Sequence, residues 1–136
     1  MNTYQHKVHY YETDRMGIVH HSNYVRWMEE ARMDFLAQIG WAYDKLEEEG
    51  IISPVTAVEC QYKVTTTFAD VIDIAVSIEE FKGVKLKLRY VMKRGDEVVC
   101  EARSEHCFLD KDGKIISMKK VHPEFYEALN ELVQAD

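Results

Sequence analysis

The run from Asn23 to Ile39 constrains this chain more than any other stretch, because it repeats at a helical period and is apolar around most of its circumference. Tyr24, Trp27, Met28, Ala31, Phe35 and Ile39 recur every three or four residues, and Val25 and Leu36 widen the stripe. A helix of that kind holds its shape only when other elements cover it. Its polar side carries Arg26, Glu30, Asp34 and Gln38, with Arg26 and Glu30 at the i,i+4 spacing that favours an ion pair. Gly40 supplies the stop signal. A second, short helix is expected from Ala42 to Glu49, closed by Gly50, with Glu47, Glu48 and Glu49 as a solvated face.

The cover comes from the residues after Pro54, where the period changes to two. Ile72, Ile74, Val76 and Ile78 alternate with polar or small residues, as do Val84, Leu86, Leu88, Tyr90 and Met92, and Lys82-Gly83 between them reads as a tight hairpin. Arg94-Gly95-Asp96 turns into a strand from Val98 to Leu109 whose inward set is Val98, Cys100, Ala102, Ser104, His106 and Phe108. An earlier strand from Thr56 to Val64 places Val58, Cys60, Tyr62 and Val64 on one face. A first strand is expected from Tyr4 to Tyr11 and a short one from Lys114 to Ser117. His122-Pro123 opens a C-terminal helix with Phe125, Leu129, Leu132 and Val133 on its apolar side. The order predicts an α+β domain, one helix packed across an antiparallel sheet.

At 136 residues the chain has the size of one ordinary domain, so residues 1–136 are expected to form a single unit with no linker or repeat. A composition 46% hydrophobic and 30% charged, with two prolines and six glycines, excludes disordered and low-complexity classes. Its 17 basic and 24 acidic residues give a net charge of -7, which argues against binding to nucleic acid or insertion into a membrane. The first ten residues hold no apolar run and no later segment reaches spanning length, so a cytoplasmic location is expected. Cys60, Cys100 and Cys107 form no C-x-x-C pair and read as reduced core residues.

The chemistry points to Tyr10–Arg32, YYETDRMGIVHHSNYVRWMEEAR. Asp14 precedes Gly17 and stands within about ten residues of a helix start. An acidic residue before glycine is common in turns. Beside unpaired helix N–H groups, however, it can also act as a base or nucleophile on a carbonyl whose developing charge those groups accept. His21 either caps the first turn of the helix or takes part in catalysis. His6, His9, His20, His106 and His122 show no metal-ligand spacing, and no metal or other cofactor is expected. Glu29 or Glu30 could face inward as a second acid or base, or pair with Arg26 or Arg32 in solvent. The chain has neither a glycine-rich phosphate loop nor a G-x-S-x-G elbow.

The pattern Asp14-x-x-Gly17-Ile18-Val19-x-His21-x-Asn23-Tyr24, followed by Glu29 and Ala31-Arg32, resembles the first strand, catalytic turn and central helix of the 4-hydroxybenzoyl-CoA thioesterase family, closest to its Tol-Pal-associated branch. The resemblance implies a hotdog fold, a long helix wrapped by an antiparallel sheet of about five or six strands. It also implies a homodimer or homotetramer with active sites between subunits, and an acyl-CoA or acyl carrier protein thioester as substrate. Asp14 then matches the family's catalytic carboxylate, the backbone N–H near His21 its carbonyl-polarising donor, and His21 a histidine of the Tol-Pal-associated branch. Gly17, Ile18, Val19, His20, Asn23 and Tyr24 become substrate-binding candidates. His20 departs from the pattern, since relatives carry an aromatic residue such as Tyr or Trp there. Two other readings are a hotdog dehydratase using His21 with Glu29 or Glu30, and a non-catalytic acyl-CoA-binding protein.

Overall fold

The computed structural model describes residues 2–135. The periodic segments become five strands, β1 (Tyr4–Lys7), β2 (Val55–Tyr62), β3 (Val71–Phe81), β4 (Leu86–Arg94) and β5 (Glu97–His106), and four helices, α1 (Ser22–Gln38), α2 (Tyr43–Glu48), α3 (Met118–Val121) and α4 (Pro123–Ala135). All strand pairs are antiparallel in the spatial order β1-β3-β4-β5-β2.

One face of this sheet is apolar because the alternation is maintained. Ile72, Ile74 and Ile78 of β3, Leu86, Leu88, Tyr90 and Met92 of β4, and Cys100, Ala102, Ser104 and His106 of β5 are buried. Against them α1 buries Tyr24, Trp27, Met28, Ala31, Phe35 and Leu36. Each large apolar side chain so covered contributes ~1.5–3 kcal/mol by removal from water. The opposite face is charged and carries the Lys87–Glu80, Lys87–Glu105 and Arg89–Glu101 pairs, so no helix packs there. At one end α4 closes the core through Phe125, which meets Trp41, Phe81 and Phe108 edge-on.

Five expectations change. The turn at Lys82-Gly83 extends to Lys85, so Val84 lies outside β4 and is 41% exposed. The first strand stops at Lys7 instead of Tyr11, because the chain turns through a 3-10 segment at Tyr10–Glu12 that buries Glu12 and leaves Tyr10 and Tyr11 75% and 77% exposed. In β5 the inward residues near the turn are Val99 and Cys100, with Val98 only partly buried. A register shift between Met92 and Lys93 inserts one extra residue and flips the alternation. The segment Lys114–Ser117 contributes a single bridge at Ile115 to Leu109, and the four-residue α3 follows it. Finally, Val58 and Tyr62 of β2 are on the predicted face but stay 43% and 47% exposed, since β2 lies at the sheet edge with one side unpaired.

Candidate active site

The site is organised from a buried carboxylate upward. Glu12 Oε1 accepts hydrogen bonds from His6 Nε2 and the His9 backbone N–H, both at 2.8 Å, and its Oε2 accepts from the Trp27 indole at 2.7 Å. Burial alone would raise the Glu12 carboxyl. The bonds from His9, His6 and Trp27 outweigh that and hold it below its usual range. Three segments, β1, the turn after it and α1, are thereby fixed on one charge. His6, His9 and Glu12 bring ligand-type atoms within 4.8 Å of one another. The Glu12 oxygens are nevertheless occupied by these donors, so the cluster is a hydrogen-bonded anchor.

Beyond Glu12 the chain makes a narrow loop, closed by a bridge between Thr13 and Val19 and by the Asp14 N–H donating to Ile18 O at 2.8 Å. Gly17 turns the loop at φ +79°, a conformation that favours glycine. Its carbonyl accepts from Thr67 Oγ1 at 2.8 Å, and the Val19 N–H reaches Thr66 O at 2.8 Å. The 65–70 segment is itself clamped, with Arg94 donating to Asp70 Oδ2 at 2.9 Å and to Thr65 O at 3.2 Å. Within this frame Asp14 is half-buried. Its Oδ1 accepts the Met16 N–H at 2.8 Å, which orients the carboxylate while Oδ2 has no protein donor among the described residues.

The start of α1 is capped one residue earlier than expected. His20, not His21, supplies the cap: its Nδ1 lies 2.8 Å from Ser22 Oγ and accepts the Ser22 N–H at 3.2 Å, and its carbonyl accepts the Asn23 N–H at 3.0 Å. His21 makes no side-chain cap. Its ring stacks on His20 at 4.2 Å and meets Tyr62 edge-on at 6.1 Å. Among the described residues the His21 N–H has no protein acceptor, so it remains available at the helix end.

Asp14, Ile18, Val19, His21 and Tyr24 converge on one open cleft of about 350 Å³. The other candidates have supporting positions: Gly17 shapes the turn, His20 caps the helix, and Asn23 Nδ2 ties Glu12 O at 3.0 Å to His20 O at 3.3 Å. Tyr24 lines the cleft, and its hydroxyl lies 2.7 Å from Thr66 Oγ1. The opposite wall is Tyr62, Lys63, Val64 and Thr65, which the motif did not contain. The alternation that put Tyr62 and Val64 on one face of a strand was the available signal. Glu30 is turned away, accepting the Tyr4 hydroxyl at 3.0 Å, and Glu29 lines a different recess, so neither carboxylate faces His21 as a dehydratase would need.

A carboxylate and a free helix-end N–H on one cleft are the parts of a carbonyl hydrolase, and comparison with known proteins gives the same result. The profile of the "Thioesterase-like superfamily" matches residues 8–129, nearly the whole chain. The chain belongs to the thioesterase-like superfamily. As a member it is a thioester hydrolase on the hotdog fold. A crystal structure of a hypothetical protein from Aquifex aeolicus is 35% identical, with a TM-score of 0.87 over 93% of this chain and 98% of that one. The DHNA-CoA thioesterase of Staphylococcus aureus is 29% identical and superposes with a TM-score of 0.93 over 98% of this chain and 91% of that one. The 1,4-dihydroxy-2-naphthoyl-CoA hydrolase of Thermosynechococcus vestitus is 26% identical over 80% of this thioesterase and 76% of the relative. No described helix is long and apolar enough to cross a membrane.

Proposed function

We propose that this thioesterase hydrolyses acyl-CoA, with Asp14 as the catalytic carboxylate. The observation that carries the reading is the shared cleft, where Asp14 and the unpaired His21 N–H stand on one wall and Tyr62 on the other. The thioester carbonyl oxygen accepts the His21 N–H at the positive end of α1 and gains charge as the carbon becomes tetrahedral. Asp14 either takes a proton from the attacking water or attacks the carbonyl itself. The thiolate leaves without a strong acid, because a thiol is already acidic enough near neutral pH. Thiol release measured over a panel of short aliphatic and aromatic acyl-CoAs is expected to show turnover on at least one class. A panel with no release at any concentration, while ligands still raise the melting temperature, would replace this reading with the acyl-CoA-binding one. The names of the two DHNA-CoA relatives favour an aromatic acyl group. The likeness of the motif to the Tol-Pal-associated branch favours a short acyl group. One domain acting in the cytoplasm, on CoA or on an acyl carrier protein, fits this reading.

The active unit in this proposal is a homodimer, or a dimer of dimers, joined through β2. That strand ends the sheet with its outer N–H and C=O groups unpaired, and its exposed Val55, Val58 and Tyr62 are too apolar for a guarded edge. Sedimentation is expected to give twice or four times the 15.9 kDa chain mass, and Val58→Asp is expected to dissociate the pair. A parent that sediments as a monomer at micromolar concentration ends this part of the proposal.

A further inference from the structure

A second recess, of about 200 Å³, lies between α1 and the other half of β2 and shares no lining residue with the Asp14 cleft. Val58 and Met28 give it apolar walls, Glu29 is exposed at its rim, and its other lining includes Arg32, Tyr90 and His106, all buried. At about 200 Å³ it has room for a short acyl chain or one ring.

One polar atom there is buried without a partner among the described residues. The Tyr90 hydroxyl lies 2.7 Å from Ser104 Oγ, which lies 2.7 Å from His106 Nε2. Only one direction satisfies both hydroxyls: Tyr90 donates to Ser104 and Ser104 donates to Nε2, since the reverse leaves the Tyr90 O–H without an acceptor. The ring proton of neutral His106 then sits on Nδ1, a buried atom without a partner. Burial, and after it the charge of Arg32, push the His106 imidazole down to about 3, so it is neutral at working pH. Arg32 is 5% exposed, yet among the described residues its guanidinium meets no acceptor and forms no ion pair, even with Glu29 one turn away. The buried N–H left in this state costs free energy until an acceptor arrives, and the charge of Arg32 beside it favours an anionic one.

We propose that this recess receives the far end of the acyl group, and that Arg32 with the His106 Nδ1–H selects acyl chains that end in a carboxylate. One carboxylate oxygen meets the guanidinium and the other the imidazole N–H, a pairing that satisfies both donors, while the methylene stem lies on Val58 and Met28. The inference rests on the thioesterase reading and on paired β2 edges. Two copies of β2 related by a two-fold axis through the strand's middle run antiparallel, so the Val58 half of one faces the Tyr62 half of the other. That pairing opens the second copy's recess toward the first copy's Asp14 cleft. Within one chain the two linings adjoin at Tyr24 and Val25, and Arg32 stands eight residues beyond Tyr24 along α1, ~12 Å at 1.5 Å per residue.

The test is a matched pair, hexanoyl-CoA and adipoyl-CoA, which differ only in the terminal carboxylate. The parent is expected to show a kcat/KM about tenfold or more higher for adipoyl-CoA, the scale of one charge-assisted contact. Arg32→Met is expected to abolish that ratio, lowering kcat/KM for adipoyl-CoA far more than for hexanoyl-CoA. His106→Phe, which keeps Arg32, is expected to reduce the ratio by part, and it decides the matter if Arg32→Met does not fold. A ratio that is the same in parent and variants, or a parent that prefers hexanoyl-CoA, overturns the proposal. So does an Arg32→Met chain that sediments as a monomer with unchanged selectivity, which would make Arg32 a subunit contact. If the parent cleaves neither thioester, the hydrolase reading has failed separately, and calorimetric binding of free adipate against hexanoate then decides. Tighter adipate binding that Arg32→Met removes supports the recess, and equal binding by the parent refutes it.

Discussion

Asp14→Asn is expected to lower kcat for the best acyl-CoA by about a thousandfold, some ~4 kcal/mol of barrier, while the melting temperature stays within about 2 °C of the parent. The asymmetry follows from where the side chain is. Asp14 is half-buried in a loop whose shape is set by its own backbone N–H on Ile18, by Gly17 and by the Thr66 and Thr67 contacts. An asparagine keeps the one side-chain bond that matters to that shape, an oxygen accepting the Met16 N–H. It loses the negative charge, and with it both the capacity to take a proton and the capacity to attack. Single turnover in isotopically labelled water tests the second route: label found in the Asp14 carboxylate eliminates the pure general-base mechanism. An Asn variant as active as the parent removes Asp14 from the mechanism altogether.

The second large effect is expected at Glu12, which touches no substrate. Glu12→Ala leaves the His6 ring, the His9 N–H and the Trp27 indole buried without their acceptor, at a cost of about 3–5 kcal/mol. For a domain of this size that is a fall of roughly 10–15 °C in melting temperature. Because the carboxyl is held below its ordinary value in the folded protein, its contribution is present at neutral pH. It fades as pH falls through the usual carboxylate range toward the lower folded value. The stability difference between parent and Glu12→Gln should therefore be largest near pH 7 and shrink in acid. A difference of less than about 1 kcal/mol at neutral pH, measured by denaturant unfolding, would mean that the three donors find other partners.

The elements that pattern alone could reveal were those whose burial is one-sided. In β3 as far as Ile78 and in β4 the period of two is clear because the apolar residues turn toward the core, and the helix reads clearly because Tyr24, Trp27, Met28, Ala31, Phe35 and Leu36 are buried together. What escaped depended on partners distant in sequence. Glu12 has one such partner, the Trp27 indole, which closes over a carboxylate already held by His6 and the His9 N–H. Val98 was misplaced because a register shift is set by the pairing of β4 with β5 and leaves no trace in the alternation. In the site, Asp14 and His21 were legible from the turn and helix signals, while Lys63 and Thr65 on the far wall belong to a segment forty residues on. The capping role fell to His20 because the helix starts at Ser22, and only the backbone path decides which of two adjacent histidines points back at its first N–H.

The two recesses divide the labour of the chain between parts that can change at different rates. Asp14, its clamped loop and the Glu12 anchor belong to one end of α1, where a substitution alters the reaction or the fold. The recess at Arg32 belongs to the stretch of α1 from Val25 to Arg32, where Met28 and Val58 form apolar walls around the buried Arg32, Tyr90 and His106. Residues there can be exchanged without moving the carboxylate or the helix terminus that do the chemistry. A lineage built on this plan can drift from one acyl group to another by a few substitutions near Val58 and Arg32, retaining a working hydrolase at every step.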